Sequence, residues 1–278
     1  MTQATAVLRR GFVQCPDGNI EYFEMGAGEP FLMLHATPAS CMAYRDLAPL
    51  LADEFRVIAM STMGYGQSDR PDPPYTTLSE FARAVTWLMD GLGLERTNLY
   101  GTHTGSEIAA VTAAEFPERV DKLVLEEVFN WGTPARRATH ERIHRYFEPK
   151  GDGSHLVDLW NKIGGTRPGM DMKRATERFI NNLIVNESQE AYGKMGWEGA
   201  GPYAMCHHDM WETTPQIESP TLVIHGTTSE LGRSHEKFLR TIPRARGIRL
   251  PSEGNFNAGQ APDLWQTEVK AFLRDPGV

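Results

Sequence analysis

The stretch Leu99-Tyr100-Gly101-Thr102-His103-Thr104-Gly105 closes an apolar run of strand length and opens a helical pattern. Small residues on both sides of its central position are what a strained strand–turn–helix elbow requires. Such an elbow thrusts one side chain, here His103, into a cleft beside a helix N-terminus, whose unbonded N–H groups favour negative charge. Working outward, strand-length apolar runs alternate with helical patterns, which predicts a mostly parallel sheet covered by helices. Upstream, residues 31–34 read as a buried strand opening into the loop His35-Ala36-Thr37-Pro38. Residues 41–55 read as a helix, 56–60 as a strand and STMGYGQSDRPDPP (61–74) as a long Gly/Pro loop. Thr77 and Glu80 form a capping box ahead of Phe81, Val85, Leu88 and Leu92 at helical spacing.

Downstream, residues 106–116 read as the elbow's helix and 122–125 as a strand ending in Glu126-Glu127. The strand rhythm then stops until PTLVIHG (220–226). Helix near 234–241, strand and loop over GIRLPSEG (247–254) and helix over 263–273 complete the pattern. The interval between is helical and aromatic, with Trp131, Trp160, Trp197 and Trp211. The expected organisation is a core of residues 1–130 and 214–278, with residues 131–213 inserted as a helical cap.

Composition narrows the function. With 278 residues, 40% hydrophobic and 23% charged, the chain suits one large globular domain or a domain with an insertion. A net charge of −8 provides no electrostatic footprint for nucleic acid or an anionic membrane. A small-molecule ligand is the expectation. No apolar run approaches the ~20 residues that span a bilayer, and the opening MTQATAVLRRGFVQ has no signal-peptide core. Three cysteines at wide spacing make a disulfide framework a poor fit and a reducing cytoplasm a good one.

The segment around His103 resembles the nucleophile elbow G-x-S-x-G of the α/β-hydrolase family. His35-Ala36-Thr37-Pro38 resembles that family's H-G-x-P loop, and Gly64-Tyr65-Gly66-Gln67-Ser68-Asp69 its G-x-G-x-S-D loop. PTLVIHG looks like the strand before the catalytic acid. Gly254-Asn255-Phe256, with Pro262 downstream, looks like the segment that carries the catalytic histidine. The resemblance covers about residues 10–130 and 215–275, and five segments in the right order are far more specific than any one. It implies an α/β-hydrolase fold with a pocket between cap and sheet, above the elbow.

The resemblance fails at the chemistry. His103 stands where the nucleophile belongs, Ser229 (followed by Glu230) where the acid belongs, and Asn255 where the histidine belongs. An amide cannot accept the proton that a serine mechanism hands over, so a Ser-His-Asp esterase is excluded on this reading. The family's oxyanion hole uses backbone N–H groups that map to Thr37 and Thr104, and backbone donors do not depend on side-chain identity. Such donors contribute roughly 3–4 kcal/mol to a developing oxyanion.

Imidazole takes and gives protons near neutrality, so His103 is the candidate acid–base catalyst, against the plainer reading of a relic that only fills space. Some family members place their acid at the end of the sixth strand, so the resemblance makes Glu126 or Glu127 a candidate to orient His103. Adjacent strand residues point to opposite faces, so at most one can face the cleft. A surface carboxylate is the competing reading for each, and for Glu230. Asn255 is expected to bind substrate or loop rather than transfer a proton. His35 lines the site or braces its loop, and Trp131 belongs to an aromatic pocket or to the cap's own core. His207-His208-Asp209 lacks a complete ligand set at metal spacing, so no metal is expected.

The leading expectation is a cofactor-independent enzyme acting on a small carbonyl compound, as lyase, C–C cleaving enzyme or non-serine hydrolase. His103 would be acid or base, and the Thr37 and Thr104 amides would hold an enolate or oxyanion. A hydrolase with His103 as nucleophile is one alternative, and a non-catalytic ligand-binding homologue is another. Homodimers are common among proteins that resemble this one.

Overall fold

The computed structural model describes residues 7–131, 134–166, 171–254 and 257–276, without the side chains of residues 134–137. Eight strands form one sheet: β1 (Arg9–Cys15), β2 (Gly18–Met25), β3 (Glu29–Leu34), β4 (Phe55–Met60), β5 (Thr97–Thr102), β6 (Val120–Glu126), β7 (Thr221–Gly226) and β8 (Ala245–Leu250). Their order is β1-β2-β4-β3-β5-β6-β7-β8. β2 pairs antiparallel with β1 and β4, and every pairing from β4 to β8 is parallel. Edge strand β1 shows mixed exposure, whereas β5 and β7 are buried at every position. Helices cover both faces of the central strands, so these read as continuous apolar runs rather than alternating ones.

The pleat sends neighbouring residues into different layers. Leu99, Leu125 and Val223 join one buried cluster, which is shared with α1 (Leu78–Gly91) and α2 (Thr104–Glu115). Tyr100, Val124 and Leu222 join the other, which is shared with Trp265 and Phe272 of the closing helix, residues 262–274. Each fully buried side chain such as Phe81 contributes about 1.5–3 kcal/mol through lost apolar exposure. The capping box opening α1 forms as its sequence requires: Glu80 N–H donates to the Thr77 hydroxyl, and Glu80 accepts the Thr77 N–H at 2.9 Å.

One expected helix is absent. Residues 41–55 form a 3₁₀ turn (Cys41–Tyr44) and a single α turn (Ala48–Leu51) before β4 begins at Phe55. Pro49 stands in the first turn of the second piece, where its missing N–H does no harm, but within a continuous helix it would break the ladder.

Between β6 and β7 the described residues contain helices and no strand: α3 (Pro134–Ile143), α4 (Ser154–Lys162), α5 (Met172–Ile184), a kinked 3₁₀ run (Glu190–Gly199) and α6 (Ala200–Cys206), then one-turn pieces. The remaining long elements are α7 (His235–Thr241) and α8 (Pro262–Arg274). The insertion is tied together by a buried charge cluster. The Glu198 carboxylate, 3% exposed, meets Lys162 of α4 and His144 just past α3. Gly201 on α6 rests on the strand ends, where a Cβ would lie 2.7 Å from Thr104 Cγ2 and 2.9 Å from Thr37 Oγ1. No helix among the described residues is long and apolar enough to cross a membrane.

Candidate active site

The elbow exists because two glycines allow it. A Cβ on Gly101 would overlap the Gly105 carbonyl, and one on Gly105 would overlap the Leu34 carbonyl of β3. Between them His103 adopts φ 48° and ψ −120°. A left-handed non-glycine residue costs of order 1–3 kcal/mol and persists where surrounding structure over-determines it. Among the described residues the other positive-φ non-glycine is Glu127, at φ 52°. Both lie at the C-terminal rim of the sheet, on neighbouring strands.

The His103 imidazole sits 6.2 Å from the Phe129 ring, centroid to centroid. Burial pulls its pKa down to about 4, and a hydrogen bond with the Gly254 backbone offsets only part of that. The ring is therefore neutral at pH 7. One ring nitrogen donates to the Gly254 carbonyl, and among the described residues the other has no hydrogen-bond partner, which leaves its lone pair open.

On the side of the loop after β3, the Thr37 N–H donates to Thr104 Oγ1 across a long 3.4 Å. Thr104 is the first residue of α2, so its own N–H has no helical carbonyl to meet. Tyr65, from the loop after β4, ties this corner to the insertion. Its oxygen accepts the Gly201 N–H at 2.8 Å, its O–H donates to the Glu198 carbonyl at 3.1 Å, and the Thr37 side chain also bonds it. Burial pushes the Tyr65 phenol well up. His35 is buried, and its Nε2 accepts the Thr62 N–H at 3.1 Å while Nδ1 meets the Ala36 carbonyl at 3.0 Å. Both ring nitrogens are engaged by backbone, so His35 braces two loops rather than presenting a substrate contact.

The acid side departs from expectation. Glu126 lies in the layer of Tyr100 and Trp265: its carboxylate accepts Tyr100 O–H and Trp265 Nε1–H, both at 2.8 Å, and the Asn257 N–H at 2.9 Å. Burial raises its pKa to about 7 against the pull of those donors. Its side chain is fully engaged there, and only its backbone carbonyl reaches His103, accepting the elbow N–H at 3.1 Å. Glu127 turns the other way. It accepts the Gly226 N–H at 2.5 Å, the Asn257 side-chain amide at 2.8 Å and the Ser229 hydroxyl. Burial raises its pKa too. Ser229, just after β7, thus donates to a carboxylate supplied by the end of the neighbouring strand β6.

Glu230 is 84% exposed and pairs with Arg233, so it does not reach the elbow. Asn255 lies outside the described residues. Trp131 is partly exposed and continues an aromatic row from the elbow: Phe129–Trp131 centroids are 4.7 Å apart and Trp131–His140 4.5 Å. His207, His208 and Asp209 have separate local roles, against the Tyr203 carbonyl, the Thr213 hydroxyl and the Trp211 N–H. His225 is a buried residue whose Nε2 meets the Val128 carbonyl and whose Nδ1 meets His235, each at 2.9 Å.

Several site residues escaped sequence reasoning. Tyr65 stood inside a recognised loop, but nothing in its spacing marked it as a bridge. Asn257 and Phe129 carried no signal. Glu107 did carry one: it is the acidic residue early in an otherwise small, apolar helix. It is fully buried one turn after His103, neither carboxylate oxygen has a hydrogen-bond partner, and burial alone pushes its pKa well up.

A family model described as alpha/beta hydrolase fold matches residues 29–260. Haloalkane dehalogenase 2 of Mycobacterium tuberculosis (strain ATCC 25618 / H37Rv) is 35% identical over 114 residues, 41% of this chain and 40% of that protein. The match therefore spans about two-fifths of that relative's length. The 2-hydroxy-6-oxo-6-(2'-aminophenyl)hexa-2,4-dienoic acid hydrolase of Metapseudomonas resinovorans is 25% identical over 280 residues, covering 94% of this chain and 90% of that one. Among solved structures, a hydrolase from Pseudomonas aeruginosa PA01 superposes with a TM-score of 0.77 at 20% identity, covering 96% of this chain and 99% of that one. The enol-lactonase from Burkholderia xenovorans LB400 gives 0.73 at 20%, covering 95% and 100%.

Proposed function

Since the chain belongs to the α/β-hydrolase family, we propose that it is a cofactor-independent enzyme in which His103 works as acid–base catalyst on a small carbonyl compound. The observation carrying this is the neutral imidazole at the elbow tip, one ring nitrogen engaged by the Gly254 carbonyl and the other open. A carbonyl oxygen over the first turn of α2 would meet the Thr104 N–H, and the Thr37 N–H once it leaves Thr104 Oγ1. Proton abstraction beside that carbonyl then gives an enolate held by backbone donors.

An imidazole of pKa about 4 is a weak base. A developing anion next to it favours the imidazolium and raises that value towards the range where proton transfer is efficient. Lyase chemistry, C–C cleavage and hydrolysis without a serine intermediate all pass through such an anion. The Metapseudomonas relative is named for an aryl-substituted oxo acid, and the row Phe129–Trp131–His140 beside His103 suits a planar, partly aromatic substrate. The β6–β7 insertion, seated on the elbow at Gly201, serves as the cap.

One observation favours a second reading, a binding protein without turnover. The Thr37 N–H, a donor the oxyanion would need, already has a partner in Thr104. A panel of p-nitrophenyl esters, lactones and β-keto or aryl-ketone compounds, followed by mass spectrometry, separates the two. Consumption of one compound by wild type but not by His103→Ala supports catalysis. Inertness of both proteins, together with a rise in melting temperature from a compound recovered unchanged, supports binding. A burst with activated esters that hydroxylamine accelerates would instead make His103 the nucleophile.

A further inference from the structure

Glu126 and Glu127 point into different surroundings, yet a single asparagine holds both. Asn257 donates its backbone N–H to Glu126 Oε1 at 2.9 Å and its side-chain amide to Glu127 Oε1 at 2.8 Å. The Ser252 hydroxyl bonds the Asn257 amide oxygen. Both carboxylates and Asn257 are fully buried, so little water competes for these bonds. The residues so fixed, Ser252 and Asn257, bracket Gly254, whose carbonyl faces the His103 imidazole. Gly254 has φ 92°, and a Cβ there would lie 2.9 Å from Glu127 Oε2. The loop is thus packed directly on the Glu127 carboxylate.

Three donors converge on Glu127: the Gly226 N–H, the Ser229 hydroxyl and the Asn257 amide. Its left-handed backbone would relax unless that arrangement held it. The other titratable or charged groups facing this cluster are Glu126, His225, which protonation of His103 would disfavour further, and Arg249, which attracts Glu127.

We propose that Glu127 and Asn257 are positioning residues: they fix the Gly254 carbonyl, which in turn holds His103 in one neutral tautomer with its other ring nitrogen open to the cleft. Neither touches the reacting atoms. The carboxylate that the family uses to orient a histidine directly here acts through a loop. This deepens the acid–base reading of His103 and rests on it for its functional meaning, but its test needs no substrate.

The tautomer is read from long-range ¹⁵N–¹H correlations of the imidazole, and its titration from the ring Cε1–H signal. Wild type should show one His103 tautomer. Asn257→Ala and Glu127→Gln should each give averaged ring nitrogens and lower the titration midpoint further, because the Gly254 hydrogen bond that raises it is lost. His35, braced by other loops, reports whether the fold is intact and should not move. Ser229→Ala, which removes one donor to Glu127, should shift His103 in the same direction by less. Should Asn257→Ala fail to fold, Glu127→Gln and Ser229→Ala decide. A His103 spectrum unchanged in the folded variants overturns the proposal. A changed spectrum, with turnover indifferent to His103→Ala, leaves the positioning intact and removes the acid–base role.

Discussion

The two sides of the elbow are built from different things. On the β3-loop side of the elbow, backbone does the positioning: the glycines of the turn allow it and the Thr37 N–H meets Thr104. On the β6–β7 side the contacts run through side chains: Ser229 donates to Glu127, and Asn257 joins the two glutamates. An arrangement built from backbone survives substitution of side chains, because any residue supplies the same N–H. An arrangement built from side chains must be re-formed whenever one member changes. The side-chain half is therefore the one more sensitive to substitution, and His103 is where the two halves meet.

The largest expected effect is at that junction. His103→Ala should reduce turnover of whichever carbonyl compound the panel identifies by ~100-fold or more, the usual contribution of general acid–base catalysis. A loss below about tenfold would reduce the elbow to scaffolding and leave the backbone half as the functional one.

Next comes the bridge on the β3-loop side. Tyr65→Phe removes a buried hydroxyl that satisfies the Gly201 N–H and the Glu198 carbonyl. Leaving such groups unpaired should cost ~1–3 kcal/mol, read as a lower midpoint in urea unfolding. No change would mean that the insertion does not depend on this corner for its seat over the elbow.

A smaller effect separates the buried Glu127 from the exposed Glu230. Glu127→Gln should lower turnover ~10-fold through misplacement of the Gly254 loop. Glu230→Gln, on an exposed pair with Arg233, should leave turnover within twofold, as surface ion pairs contribute little. Equal losses in both variants would show that net charge matters there, not position.

How much of this was legible depends on which interactions carry it. The sheet, the elbow and the capping box before α1 follow from periodicity, glycine sterics and local hydrogen bonding, all of which are encoded over a few residues. A continuous helix over residues 41–55 does not form because Pro49 would break its hydrogen-bond ladder. Alternation along β6 separates Glu126 from Glu127 but does not decide which of them faces the loop. That choice is made by Tyr100 and Trp265 on one side and by Ser229 and Asn257 on the other, partners up to 139 residues away. Glu230 was placed near the site by its spacing from Gly226, and the turn after β7 sends it to solvent instead.

The smallest effect tests whether Glu126 belongs to the core rather than to the chemistry. Its folded pKa, about 7, is above the ordinary carboxylate value because burial disfavours the charge. Folding then retains a proton that the unfolded chain has lost, and this holds between the unfolded value, near 4.5, and about 7. In that window the unfolded state binds fewer protons, so the Glu126 contribution to stability is complete below pH 4.5 and declines as pH rises. Glu126→Gln, neutral at every pH, should remove this decline. Compared with wild type, the stability change between pH 5 and pH 6 should be more favourable in the variant by ~1 kcal/mol. The neighbouring Glu127 and the unpartnered Glu107 also carry raised pKa values, so wild type keeps a slope of the same sign from them, and the informative quantity is the difference. If that difference is absent, the Tyr100, Trp265 and Asn257 donors already stabilise an ionised Glu126, and the acid side holds a fixed negative charge directly behind His103.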